Sequence, residues 1–404
     1  MKQKLDLIIV GGGPAGISTA LHLQRHAPAL AARTLVLEKE RYPRDKYCAG
    51  AIAARAQHLL DALGVRVEVP SVTFDAIAIA LPGTTLEVRH PGLGRIVRRI
   101  EFDEAFARIA MARGIEVREG AAVDRVEARD DGVTVHLTSG EALEARAVVG
   151  ADGVGGPVRR TAGFARGALR AQVVECDTEP VDGDATRDTI HFDWWDHGLP
   201  GYAWDFPTVV GGRALVCRGV YLARLGGGVA DARTQLCAHL ERKKLDPRAY
   251  KFKPFAERGF EPDEPISRPR VLLVGEAAGI DIITGEGIPQ AIAYGAVAAA
   301  YLAACFEDGD FGFGDWLAAV RRAGEGKRLR IRHLTYAAAF GRERPLGEKL
   351  LKRAPDLLRV GALDFGGKAI PRAALARMVG QVAPFLFRHG GGVLYRLLRD
   401  RAYA

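Results

Sequence analysis

The chain opens on a short apolar run, Leu5–Val10, that breaks directly into Gly11-Gly12-Gly13-Pro14-Ala15-Gly16. A continuous apolar stretch bounded by glycines is the pattern of a strand covered on both faces. Helical spacing follows over Pro14–Gln24, and then a second apolar run, Thr34–Glu38. Strand, glycine turn, helix and strand in that order predict the first βαβ unit of a dinucleotide-binding fold.

Further along, Ala53–Leu63 reads as a helix stopped by Gly64, and residues 72–90 alternate around Pro82-Gly83 as a half-buried hairpin does. Phe102–Arg113 has helical spacing and Ile115–Arg118 that of a short strand. Residues 121–150 predict a three-strand meander with turns at Asp131-Gly132 and Ser139-Gly140, ending in AVVGADG (147–153). More strand patterning covers residues 166–225. Helix Ala230–Lys243, a proline-rich connection from Pro247 to Pro269, strand Val271–Val274 and a helix from Gly287 come next. Residues 315–404 are mostly helical in pattern.

The predicted class is therefore α/β. A Rossmann-like cofactor domain draws on residues 1–70, 95–165 and 265–314. Residues 71–94 and 166–264 form an inserted antiparallel-sheet substrate domain, and residues 315–404 a C-terminal helical region.

Composition narrows the setting. With 404 residues, 48 % apolar and 26 % charged, the chain has the size for two packed units and the proportions of an ordinary soluble protein. Cys48, Cys176, Cys217, Cys237 and Cys305 are scattered, odd in number and without CxxC spacing. That argues against disulfides or a zinc site and for a reducing, cytoplasmic compartment. Asp193, Asp196 and Asp205 lack the histidine spacing of a metal site, so no metal is expected. The opening apolar run is too short for a signal peptide, and Ala291–Phe306 too short to span a bilayer.

The net charge of +8 is uneven. Residues 321–404 hold 19 Lys+Arg against 6 Asp+Glu, or +13, leaving −5 for the rest. Two readings fit: an arginine-rich solvated face, or a surface for an anionic partner such as lipid headgroups (peripheral membrane contact) or an acyl-carrier protein. No nucleic-acid-binding signature accompanies the charge, so nucleic acid is not expected as a partner.

The candidate chemistry sits in two distant glycine-rich segments. Gly11 permits a tight turn, Gly13 lets backbone amides approach a pyrophosphate, and Gly16, after Ala15, lets the helix pack on its strand. Glu38, followed by Lys39, stands about 22 residues after the last glycine, where such folds place a carboxylate on ribose hydroxyls. NAD would satisfy this half equally. The distal segment VLLVGEAAGIDIITGEGI (271–288) decides the matter. Gly275 ends a strand, and Glu276 is placed for a ribityl hydroxyl or, through water, the pyrophosphate. Gly285, Gly287 and Ile288 open a second helix whose amides would face the pyrimidine edge of an isoalloxazine. Two turns gripping opposite ends of one long cofactor point to FAD.

GGGPAG, Glu38, Arg99 in RIEFD (99–103), GADG (150–153) and GEAAG together resemble flavoprotein oxidoreductases of the p-hydroxybenzoate hydroxylase-like fold, over roughly residues 1–310. YPRDKYCAG (42–50), PGYAWDFP (200–207) and TGEGI are similar to the geranylgeranyl reductase branch. Pro200, Tyr202, Trp204, Phe206 and Pro207 match its P-x-Y-x-W-x-F-P hallmark. The resemblance implies that Arg99 binds the pyrophosphate side, Val123 lies near the adenine, and Asp152 braces FAD and its reductant. The chain departs from the pattern at three positions: Glu276 for aspartate, Gly156 for serine, and Ala49 after the cysteine.

Tyr202, Trp204 and Phe206 alternate at period two and share one strand face. The resemblance makes that strand the roof of an apolar substrate slot, joined by Pro207 and Trp195. It also implies reduction of C=C bonds in an isoprenoid or other lipidic substrate, which needs a hydride from reduced flavin and a proton. Tyr202 and Cys48 are the acids expected there. His191 and His197 read as structural or solvated. The alternative reaction is hydroxylation or epoxidation of an aromatic or polyene metabolite by a flavin monooxygenase. A halogenase fits less well, because YAWDFP is a poor match to WxWxIP. Electrons would come from NAD(P)H or a reduced electron-transfer protein.

Overall fold

In the computed structural model, which describes residues 5–194, 200–224, 231–341 and 344–400, Leu7–Val10 is a fully buried strand between Ala147–Gly150 and Thr34–Leu37. A six-stranded sheet runs from Ser267–Arg268 through Val271–Leu273, Ala147–Gly150, Leu7–Val10 and Thr34–Leu37 to Glu116–Arg118. All its pairings are parallel except the edge pair of Ser267–Arg268 with Val271–Leu273. Continuous apolar sequence suits these strands because they are buried in one core with residues of the covering helices and of the three-strand meander.

Two of those helices bring the ends of the cofactor segments together. Helix Pro14–His26 opens straight from the glycine turn, and its first ten residues are buried. Helix Ile288–Asp308 packs along it, with Ser18 Oγ donating to the Ile292 carbonyl at 2.8 Å. A Cβ on Gly295 would lie 2.5 Å from Ser18 Oγ and 2.6 Å from its Cβ, so the missing side chain sets how closely the helices approach. This helix is longer than the stretch singled out in the sequence, and by length and composition alone it would cross a membrane. Yet 61 % of its apolar window is buried inside the protein, as expected of a core helix.

The second sheet has eight strands, ordered Lys253–Arg258, Arg170–Thr178, Arg213–Arg224, Gly201–Val210, Thr189–Asp193, Ser71–Leu81, Thr84–Val97 and Ala51–Ala53. Its pairings are antiparallel except between Thr189–Asp193 and Ser71–Leu81. The predicted meander forms a separate three-stranded sheet from Val123–Ala128, Val133–Leu137 and Ala142–Ala145.

Three elements depart from expectation. The hairpin's second arm continues to Val97, past His90-Pro91-Gly92, and pairs with the short strand Ala51–Ala53. The sheet thereby takes in residues on both sides of the expected 71–94 boundaries. The proline-rich connection contains a strand, Lys253–Arg258, at the sheet edge. An edge position tolerates Pro254, which has no N–H to give a second neighbour. Helix Arg99–Ala112 starts three residues early, so Arg99 lies in its first turn.

The C-terminal region holds helices Trp316–Arg322, Gly324–Phe340, Arg344–Arg353, Pro355–Phe365 and Arg372–Asp400. Trp316 Nε1 donates to the Leu273 carbonyl at 3.0 Å, joining this region to the parallel sheet.

Gly295→Val is expected to lower the unfolding free energy by about 1–3 kcal/mol by wedging the two long helices apart. Urea unfolding followed by far-UV circular dichroism checks it; an unchanged midpoint would show that the pair can separate without cost.

Candidate functional site

A cavity of about 480 Å³ lies where the two glycine-rich segments meet, within the usual range for small-molecule sites. Gly11, Gly13, Ala15, Glu38, Lys39 and Arg99 line it, together with Cys48, Val123 and Asp152. Glu276, Gly285, Gly287 and Ile288 complete the predicted set on its wall. Gly16 and Gly275 stand just behind. A Cβ on Gly16 would overlap the Gly11 carbonyl, and one on Gly275 would come within 2.7 Å of Ala15 Cβ. Both glycines therefore serve close packing that shapes the site.

Gly13 is different. Its φ of −77° suits any residue, and the nearest protein atom to a Cβ there is Arg44 Nη2, 3.8 Å away. The fold has no need of glycine at this position, so the space above it is room for a ligand. Gly13 also caps helix Pro14–His26 without any side-chain hydrogen bond, leaving the first amides to an anion.

Cations gather at this end. Arg99 donates to both Asp103 carboxylate oxygens at 2.6 Å, and Arg44 Nη1 reaches Asp103 at 2.7 Å. Burial opposes both guanidinium charges, but Asp103 holds their pKa values above the usual range. Arg44 also lies 3.2 Å from Glu38, beside Gly13. Sequence reading passed it over as a cofactor ligand. The signal was YPRDKYC, whose arginine directly follows Pro43 and turns back on the glycines. Glu38 accepts from Gly12 N and Glu40 N, both at 3.1 Å, which holds it at the end of its strand.

Asp152 accepts from Val158 N at 2.8 Å through Oδ2, while its buried Oδ1 has no partner. Burial pushes its pKa up to about 6 against the pull of that backbone bond. At the cavity mouth Lys46 pairs with Glu276 at 2.6 Å.

The aromatic strand lies against the distal loop. Tyr202, Trp204, Phe206 and Pro207 are buried in strand Gly201–Val210, and none of them lines the cavity. Phe192 packs edge-on against Tyr202 and Phe206, with ring centroids 5.3 and 5.2 Å apart. Tyr221 stacks on Tyr202 at 5.2 Å, and Phe340 covers both tyrosines at 6.2 Å. Among the described residues these rings pack on one another behind the distal loop. Tyr202 donates to the Thr284 carbonyl at 2.8 Å and Tyr221 to that of Ile282 at 2.9 Å, pinning the distal loop to the sheet. Burial pushes the Tyr202 pKa well above that of a free tyrosine, with the charges of Glu257 and Asp281 adding to it. Trp195 and His197 lie outside the described residues.

Cys48 does reach the cavity. Its N–H donates to Glu175 at 3.0 Å, and its Sγ accepts from Gly50 N at 3.4 Å. Burial pushes the thiol pKa up, Arg99 opposes this and Glu175 reinforces it. Glu175 is itself raised to about 7, chiefly by burial. Two cavity residues that sequence reading did not find, Phe255 and Glu257, project from the unforeseen edge strand. A wider depression of about 770 Å³ lies elsewhere, beside Arg129, Arg268, Arg270 and Phe311. Arg268 donates to the Gly163 carbonyl there, and Arg270 to those of Asp130 and Arg146, so those two guanidiniums serve the fold.

The FAD binding domain family matches residues 4–194. The digeranylgeranylglycerophospholipid reductase 2 of Methanopyrus kandleri is 30 % identical over 325 residues, which is 76 % of this chain and 79 % of that protein. The chain belongs to the geranylgeranyl reductase family of FAD-dependent oxidoreductases. A geranylgeranyl bacteriochlorophyll reductase-like protein of Thermoplasma acidophilum shares the fold, with a TM-score of 0.67 and 19 % identity over 96 % of this chain and 99 % of that one. The 12-dehydrotetracycline 5-monooxygenase/anhydrotetracycline 6-monooxygenase of Streptomyces rimosus is 34 % identical over 172 residues, 40 % of this chain and about a third, 33 %, of that protein. FAD is thus the cofactor of the family, and the open cradle above Gly13 and the uncapped helix fit it.

Gly13→Val is expected to fold yet take up no FAD, since only ligand space would be filled. Circular dichroism together with flavin absorbance after reconstitution checks this, and a yellow variant would contradict it. Asp152 gives a pH signature in protein stripped of FAD. Its folded pKa exceeds the unfolded value, so its stabilising effect is complete below about pH 4. The effect is lost as pH rises to about 6, by up to about 3 kcal/mol. Asp152→Asn should flatten that part of the stability profile; an identical profile would remove Asp152 as its source.

Proposed function

We propose that this flavoprotein saturates C=C double bonds in an isoprenoid or other lipidic substrate. The observation carrying this reading is the extent of the reductase likeness. It runs over 325 residues and so takes in the sheet as well as the cofactor half, whereas the monooxygenase likeness covers 172.

The residues suit the parts. Gly11, Gly13, Ala15 and Gly16, with Arg44 and Arg99, would hold the pyrophosphate; Glu38 and Lys39 the ribose; and Val123 the adenine. Asp152, Gly275 and Glu276 would hold the linking chain, and Gly285, Gly287 and Ile288 the pyrimidine edge. The chemistry FAD supplies when bound and reduced is transfer of two electrons as a hydride. Around it the chain excludes water through Phe255 and the packed rings behind the distal loop. Cys48 presents a neutral thiol at the wall. Tyr202 acts as a positioning residue through Thr284 rather than by touching the reacting atoms, and Trp204, Phe206 and Pro207 form the backing of the substrate end.

Electrons come from NAD(P)H bound transiently or from a reduced electron-transfer protein. A lipidic substrate also fits peripheral contact with an anionic membrane from a cytoplasmic enzyme. Ile331, Leu334, Leu375, Val379 and Phe387, the exposed large apolar side chains among the described residues, all lie in the basic C-terminal region.

Anaerobic turnover of dithionite-reduced protein with polyprenyl lipids tests the reading by mass spectrometry. A product two hydrogens heavier per bond is expected. A product gaining oxygen, formed only in air, would make the enzyme a monooxygenase instead.

A further inference from the structure

Saturating a double bond takes a proton as well as two electrons, and the proton requires an acid that reaches the cavity. Tyr202 has its hydroxyl hydrogen directed to the Thr284 carbonyl. Glu257 meets the requirement. It projects from edge strand Lys253–Arg258 into the cavity wall and is 9 % exposed. Its buried Oε2 has no hydrogen-bond partner. That oxygen lies 2.9 Å from where a Cβ on Gly285 would stand, and Tyr221 Cε2 lies 3.2 Å from the same point. Glycine at 285, with φ +64°, therefore leaves the carboxyl group open to the loop proposed to face the flavin ring.

The surroundings disfavour the ionised form of this group. Glu276 and Asp281 face it from the distal segment, Glu175 from the neighbouring strand, and the Tyr202 and Tyr221 hydroxyl groups from the sheet. Lys46 is the opposing cation, and it is already paired with Glu276. Burial first and Glu276 second hold the Glu257 pKa well above the usual carboxylate range.

We propose that Glu257 is a catalytic acid of this site, giving its carboxylic proton to a substrate carbon; this rests on the reductase reading above. In that step the π bond breaks, one carbon gains the hydride supplied by the reduced cofactor, and the other gains the proton as the Glu257 O–H bond breaks. The carboxylate left behind regains a proton from water at the mouth beside Lys46.

Two measurements test this. The first is infrared spectroscopy of FAD-loaded protein labelled with carboxyl-¹³C glutamate. A protonated-carboxyl component that persists above a pH of about 7, where Glu175 and Glu286 lose their protons, is expected in wild type and absent in Glu257→Gln; a wild type without it overturns the proposal. The second is anaerobic single turnover from the reduced state. Glu257→Gln should keep its flavin absorbance yet form saturated product at least about 100-fold more slowly. An unchanged rate overturns the assignment and leaves the reductase reading standing, whereas wild type that reduces no alkene overturns both. If Glu257→Gln loses FAD, Glu257→Asp replaces it. Withdrawing the acid by one methylene should slow the step at least about tenfold, and a wild-type rate overturns the role.

Discussion

The opening helix is held between two backbones that approach it only because side chains are missing. Gly16 lets its first turn close on the Gly11 carbonyl, Gly275 lets the distal turn reach Ala15, and Gly295 lets the long helix press on Ser18. These contacts place the uncapped N-terminus of one helix and the loop opening another on the same cavity. Either glycine turn alone would be a generic anion cradle. Held this close, the two together line one cavity of about 480 Å³. The aligned amides act in a water-poor interior, where their partial charges count for more than at a surface.

Much of this was legible because it is local. An apolar strand running into glycines, an acid at the end of the next strand and a glycine-opened second helix are short-range patterns, and Gly13, Glu38, Asp152 and Gly287 all lie on the cavity. The failures are long-range. Period-two aromatics reveal that Tyr202, Trp204 and Phe206 share a face, but not that Phe192, Tyr221 and Phe340 pack against Tyr202. The edge strand Lys253–Arg258 was hidden because proline, lysine and glutamate read as a linker. With that strand went Glu257, whose chemistry comes from burial beside residues that are distant in sequence.

Three buried polar atoms without a partner lie around this site. Asp152 Oδ1, Glu257 Oε2 and Glu286 Oε1 are buried and unsatisfied, although each belongs to a carboxyl group beside the cavity or its distal loop. Burying such an atom without a partner costs about 1–3 kcal/mol, and neutralising the group is the cheaper state. Glu286, raised to about 7 chiefly by burial, still pairs with Arg55 and has Glu325 nearby. Each of the three is held above the usual carboxylate range chiefly by burial, so each takes up a proton more readily than an exposed carboxylate does.

The basic C-terminal region acquires a second meaning from the same geometry. Arg328 pairs with Asp364 and Glu325, Arg344 with Glu348, and Arg377 with Asp356. Arg332 lies 3.6 Å from Asp281, within the distal loop itself. Several of the arginines behind the +13 excess are thus engaged within the protein, and one reaches the cofactor loop. Helix Gly324–Phe340 therefore presents Arg332 and Phe340 to the loop and the tyrosines that pin it, while exposing Ile331 and Leu334. A contact made through those two apolar residues would bear on the same helix that carries Arg332 and Phe340.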